Sequence, residues 1–150
     1  MGNDIVDLDL AKIQSNWRRK NYLDKIFTTE EQLLITCAEN PDLMIWLLWS
    51  MKESAYKIHN RKTGIRSFAP KSLKCSIRSN TYGVVNVNND AYFTKSDLQT
   101  TFVHTIASPS YNRLEKIEVA IYESPNHLFD YKITNPGCVS HHGRYLALVY

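Results

Sequence analysis

The sequence is poor in the residues that staple or punctuate small folds. Its three cysteines, Cys37, Cys75 and Cys138, are widely spaced and form no C-x-x-C pair. That argues against a disulfide framework and against a structural zinc motif. Three buried or half-buried thiols in a reducing cytoplasm is the reading they fit. The five glycines, Gly2, Gly64, Gly83, Gly137 and Gly143, stand singly, so there is no glycine-rich phosphate loop. No apolar run approaches the roughly 18 residues of a membrane span; the longest strong stretch is Leu43–Trp49. The opening MGNDIVDLDL is acidic and lacks a basic n-region, so no signal peptide is expected. Val6 stands where myristoylation needs Ser or Thr. Also missing are a G-x-S-x-G elbow, an internal repeat and a low-complexity tract.

What remains is an ordinary globular balance. The 150 residues are 43% apolar and 22% charged, which fits one domain over residues 1–150. The net charge of +3 is unevenly placed. Residues 11–25 hold Lys12, Arg18, Arg19, Lys20 and Lys25 against Asp24 alone. Residues 51–74 hold seven basic residues against Glu53 alone. Such concentration points to an anionic partner, or else to two solvated helix faces.

The first half reads as helical after a short strand, Gly2–Leu8. A helix over Asp9–Lys25 is expected from Leu10, Ile13 and Trp17, which recur at spacings of three and four. Thr28 with Glu31, or Thr29 with Gln32, forms a capping-box pattern for a second helix through Cys37. Asn40-Pro41 opens a third, running to about His59. Its first half is apolar all round, which describes a buried helix. The second half reads as strands: Leu73–Arg78, Gly83–Val87, Ala91–Thr94, Phe102–Ala107, Lys116–Tyr122 and Val139–Val149. Asn88-Asn89-Asp90 is a hairpin turn, and Ser108–Asn112 and Ser124–Asn126 are loops. Helices first and strands later give an α+β fold with mostly antiparallel pairing.

Three places could carry chemistry. Asp4 and Asp7, on a short apolar strand, could hold a hard cation beside a phosphate, or could serve as a helix cap. Glu53 and Lys57 share a helix face one turn after Trp49. They read either as a surface ion pair or as a half-buried carboxylate that needs a cation. His141 and His142 are adjacent on a strand, so they face opposite ways and do not bind one metal together. His59, His104 and His127 show no ligand spacing.

Taken together, Gly2-Asn3-Asp4-Ile5-Val6-Asp7, Phe27-Thr28-Thr29-Glu30 and Trp49-Ser50-Met51-Lys52-Glu53-Ser54-Ala55-Tyr56-Lys57 resemble the signature of the 4′-phosphopantetheinyl transferase superfamily. Its pattern is G-x-D, then F-x-x-E, then W-x-x-K-E-[AS]-x-x-K, and every fixed position is filled. Thr63-Gly64-Ile65, and Val139-Ser140-His141 with Tyr145-Leu146-Ala147, resemble the holo-acyl-carrier-protein synthase branch. Ser67 to Gly137 carries no matching motif and is longer than expected for the compact synthases.

The resemblance implies a magnesium ion held by Asp4 and Glu53 on the pyrophosphate of coenzyme A, with Asp7 as third carboxylate. The larger relatives place their second acid two positions after the first; here it is three. Lys57 would meet the phosphates, with Lys52 nearby. Arg61, Lys62, Gly64, Ser140 and His141 would complete the nucleotide site. Asp4, Glu53 and Lys57 would be catalytic. A carrier-protein serine would attack the β-phosphorus and release 3′,5′-ADP. Arg18, Arg19 and Lys20 would dock the acidic acyl carrier protein, as in fatty acid biosynthesis. Each motif occurs once, so the resemblance implies a single α+β unit, which in this family typically forms trimers. Two other readings compete: a basic nucleic-acid-binding module, and a catalytically silent relative that binds coenzyme A or a carrier protein.

Overall fold

A computed structural model describes residues 1–123 and 131–150. The loop expected at Ser124–Asn126 and His127 lie outside the described residues. Strand β1 (Gly2–Asp7) leads into helix α1 (Leu8–Gln14), then α2 (Tyr22–Ile26), α3 (Thr29–Cys37) and the long α4 (Pro41–Thr63). Strands β2 (Lys74–Ile77), β3 (Tyr82–Val87), β4 (Asp90–Leu98) and β5 (Phe102–Ser108) follow. A short α5 (Tyr111–Leu114), β6 (Val119–Glu123), β7 (Cys138–His142) and β8 (Tyr145–Val149) complete the chain. Helices and antiparallel sheet together make the single α+β unit that was expected.

Five strands form one antiparallel sheet in the order β1-β5-β4-β3-β2, and three form a second, β6-β8-β7. Helix α4 lies across one face of the large sheet, where Leu48, Met51 and Ala55 share a core with Val6, Val85 and Val103. The small sheet covers part of the other face, where Ile5 packs with Tyr145 and Ala147. Adjacent residues of a strand face opposite ways. Val6 and Asp4 therefore look toward α4, and Asn3, Ile5 and Asp7 toward the small sheet.

Local chemistry sets the element ends. Thr28 Oγ1 accepts the Glu31 N–H while Glu31 Oε2 accepts the Thr28 N–H, the expected capping box. Asn40 caps α4, Pro41 fills its first turn, and Gly64 ends it in the left-handed region at φ 73°. The helix runs one turn beyond His59, to Thr63. Asn88, at φ 52°, makes the β3–β4 hairpin turn.

Three expectations fail. The smallest is that of three buried or half-buried thiols: Cys37 is exposed, while Cys75 and Cys138 are buried. The helix expected over Asp9–Lys25 is broken: Ser15 is extended and Asn21 is left-handed at φ 65°. Ser and Asn compete for backbone hydrogen bonds and end helices readily. Ile13 is consequently 83% exposed, and only Trp17 of the proposed stripe is fully buried. The strand expected over Val139–Val149 is a hairpin, with His142 paired to Tyr145 across Gly143-Arg144. Gly143 takes φ 56°, and a Cβ there would lie 2.4 Å from Asp7 Oδ2, so only glycine fits.

Candidate active site

Strand β1 and helix α4 approach closely because Gly2 has no side chain. A Cβ on Gly2 would stand 2.1 Å from the Ser54 carbonyl oxygen. Ser50, Glu53 and Lys57 recur at three and four residues, so they share the face of α4 beside β1. Ser50 donates to the Asp4 carbonyl at 3.2 Å. Lys57 Nζ donates to the Asn3 carbonyl at 2.6 Å and stands 3.8 Å from Asp4 Oδ1. Lys57 thus stands beside Asp4, and Glu53, on the same face of α4, lies close enough to feel the charge of both.

Electrostatics reports the crowding. Burial pushes the Asp4 carboxyl up to about 6, opposed by Lys57 and by hydrogen bonding from Ser140. Burial first, then the Asp4 charge, push Glu53 up to about 7, opposed by Lys57. Two carboxylates raised chiefly by burial, the second also by the charge of the first, suit a divalent cation. Magnesium needs few protein carboxylates when phosphate and water fill its other positions, so this donor set fits it. Among the described residues no cluster of three metal-ligating side chains forms.

An acid with a raised folded pKa favours folding less once it ionises. Its penalty begins near the unfolded value, about 4 here, and is complete above about pH 7. Without divalent cation, E53Q is therefore expected to be more stable than wild type at pH 8, by on the order of 1 kcal/mol after solvent screening. The difference should vanish below about pH 4.5 and shrink when magnesium is added. Denaturant titrations across pH check this; a constant difference at all pH values would contradict the assigned coupling.

Asp4 also lines a groove of about 440 Å³, walled by Arg19, Tyr22, Trp46, Trp49, His141 and His142. Both histidines line it, so the adjacent pair does not divide into one site residue and one facing away. His141 is exposed. His142 Nδ1 accepts the Asp7 backbone N–H at 2.9 Å, so that nitrogen carries no proton. Burial lowers the pKa of His142, consistent with a neutral ring.

Several other residues expected here are used elsewhere. Asp7 lies on the opposite face of β1 from Asp4, because three positions along a strand reverse the side chain. Its Oδ1 accepts the Asp9 and Leu10 N–H groups as the cap of α1, and its Oδ2 accepts the Arg144 N–H. The structure does not bring it to the Asp4–Glu53 pair. Lys52 is wholly buried, bound to Glu31 at 2.8 Å and to the carbonyls of Pro70 and Leu73. Its donors are spent, and it does not reach a coenzyme. Glu30 is exposed, its carboxyl held below the usual range by hydrogen bonding from its own backbone and from Thr28, whereas its neighbour Glu31 is buried and accepts the Cys75 N–H. Ser140 is 6% exposed, and its hydroxyl lies between Asp4 and Ile5.

At the far end of α4, Arg61 donates to the Met1 carbonyl, Lys62 pairs with Asp90, and Gly64 forms the exposed cap. Of the basic docking residues, Arg18 forms a two-pronged pair with Asp42 at 3.0 and 3.1 Å. Arg19 stacks on Tyr22 beside the groove, and Lys20 is exposed. Sequence reading missed Tyr22 and Trp46 as groove walls. Their spacing carries no sign of it, because the irregular turn at 15–21 brings them together.

The family model described as the 4′-phosphopantetheinyl transferase superfamily matches residues 1–107. The chain belongs to this superfamily. The match spans β1 to β5 and so holds Asp4, Glu53 and Lys57, while α5 and the β6–β8 sheet lie beyond it. No curated protein matches the chain significantly. Membership makes the protein a transferase of phosphopantetheine, in a family that uses coenzyme A and acts on carrier proteins. None of the described helices is long and apolar enough to cross a membrane.

Proposed function

We propose that this superfamily member is of the holo-acyl-carrier-protein synthase type, a cytoplasmic enzyme of fatty acid biosynthesis or a related pathway. It moves 4′-phosphopantetheine from coenzyme A to a serine of an acyl or peptidyl carrier protein. The observation that carries this reading is the Asp4–Glu53 carboxylate pair with Lys57, beside a groove that can admit an extended substrate.

Asp4 and Glu53 would hold the magnesium ion, which when bound neutralises the pyrophosphate. Lys57 adds positive charge at the same place, and phosphoryl transfer relies mainly on such positioning and neutralisation. Glu53, with its raised pKa, accepts the proton of the attacking serine. The serine oxygen bonds to the β-phosphorus as the bond to the bridging oxygen breaks, and 3′,5′-ADP leaves with that electron pair. Arg19 and His141 in the groove wall would offer charge and donors to the coenzyme, and the exposed Lys20, next to Arg19 in sequence, to an acidic carrier. The site is open on one side, and self-association as a trimer would enclose the coenzyme. The charge stretches favour nucleic acid less than composition alone implied, because Arg18, Lys52, Lys57 and Lys62 all have acidic partners.

Intact-mass spectrometry tests the reaction. An apo acyl carrier protein incubated with the enzyme, coenzyme A and magnesium should gain one phosphopantetheine, and should gain none when the metal is chelated. No gain across several fatty-acid, polyketide and peptidyl carriers would overturn the proposal in favour of a silent relative.

A further inference from the structure

The β7–β8 hairpin lies beyond the residues that match the superfamily, yet it reaches back to the site strand. Ser140 and His142 are two residues apart and project from one face of β7. Among the described residues, strand β1 ends the large sheet, so one of its edges has no partner strand there. The Ile5 N–H donates to Ser140 Oγ at 3.1 Å, and the Asp7 N–H donates to His142 Nδ1 at 2.9 Å. Two side chains thereby stand in for a missing strand.

Ser140 has a second task. A hydroxyl carries one proton and can also accept. The Ile5 amide can only donate, so the hydroxyl proton is directed to its other neighbour, Asp4 Oδ1, at 3.1 Å. Burial of Ser140 removes competing water. Lys57 stands 3.8 Å from that same oxygen, and Ser50 holds the Asp4 carbonyl from the α4 side. Asp4 is therefore gripped by α4 on one side and by the terminal hairpin on the other.

We propose that Ser140 is a positioning residue for Asp4, not a coenzyme contact, and that the terminal hairpin orients the metal-ligating carboxylate through this one hydroxyl; this rests on the reading of Asp4 as a metal ligand. Groups that orient a ligand typically contribute about 10–100-fold to metal affinity. Loss of the hydroxyl leaves Asp4 free to rotate away from the geometry that a small octahedral ion demands.

Binding of Mn2+ to the full chain, followed by electron paramagnetic resonance with coenzyme A present, gives a readout independent of turnover. S140A is expected to weaken Mn2+ about tenfold, with S140T, which keeps the hydroxyl, close to wild type. In steady state, the same loss should appear in the metal requirement and in kcat, with KM for coenzyme A little changed. Wild-type Mn2+ affinity in S140A, or equal loss in S140T, would overturn the positioning role. A rise confined to KM would restore Ser140 as a coenzyme contact. D4N binding Mn2+ as wild type does would instead overturn the metal assignment beneath it. If S140A fails to fold, S140C fills the same volume with a weaker donor and should fall between Ser and Ala.

Discussion

E53Q is expected to lose about 10³-fold in transfer activity, and D4N a comparable amount, while both proteins remain folded. A positioned general base contributes about 10²–10⁴-fold, and Glu53 is proposed both as that base and as a ligand. The amide of Gln neither accepts the serine proton nor contributes charge to a cation. The loss should fall mainly on kcat, because Lys57 and the groove still bind coenzyme. Structural damage is separable: at pH 8 without metal, removal of the Glu53 charge relieves first the cost of its burial and then repulsion with Asp4, so E53Q should gain stability as it loses turnover. Opposite signs in the two measurements would be hard to obtain from a misfolded variant. Full activity in both variants by intact-mass assay would displace the metal site from this pair.

The opposite signs also show what was legible beforehand. Asp4, Glu53 and Lys57 could be named from sequence because each sits on a regular element whose period fixes its face. Lys57 follows Glu53 by four on α4, and Asp4 lies on a strand that Gly2 lets approach the helix. The start of α4 was nearly as plain, since Asn40 and Pro41 act locally, but its end lies a turn beyond the expected His59, at Thr63. Only the family resemblance places Asp7 at the metal; the other reading of it from sequence, a helix cap, is the one the structure shows. At an odd offset from Asp4 it turns to the small sheet and becomes a cap. The terminal hairpin was hidden because residues 139–149 read as one strand although Gly143 marks a turn within them. The clash that forbids a side chain there comes from Asp7, 136 positions away. The irregular turn after α1 had a visible cause in Ser15 and Asn21, but the apolar spacing of Leu10, Ile13 and Trp17 outweighed it in the reading.

Lys52 is the sharpest case, and it carries the largest expected stability effect. It is the lysine of the K-E step beside the proposed catalytic glutamate, yet consecutive helix residues point about 100° apart. Lys52 therefore turns into the protein while Glu53 faces β1. There its ammonium meets Glu31 and the Pro70 and Leu73 carbonyls, with the Phe27 ring 5.5 Å away. Glu31 is equally committed, since its carboxylate also accepts the Thr28 and Cys75 N–H groups. The cluster ties α3, α4 and the start of β2 together behind the site. K52M is expected to destabilise folding by about 3–5 kcal/mol, because it strands a buried carboxylate and two carbonyls. Partial recovery is expected in K52M/E31Q, which removes the unpaired charge but keeps an acceptor for the amides. Chemical denaturation of the two variants measures both effects. A coenzyme-binding lysine would behave otherwise: K52M would keep wild-type stability and lose affinity for coenzyme A, and E31Q would bring no rescue. In that event the buried cluster would not be the anchor of α4, and Lys52 would belong beside Lys57 in the phosphate site.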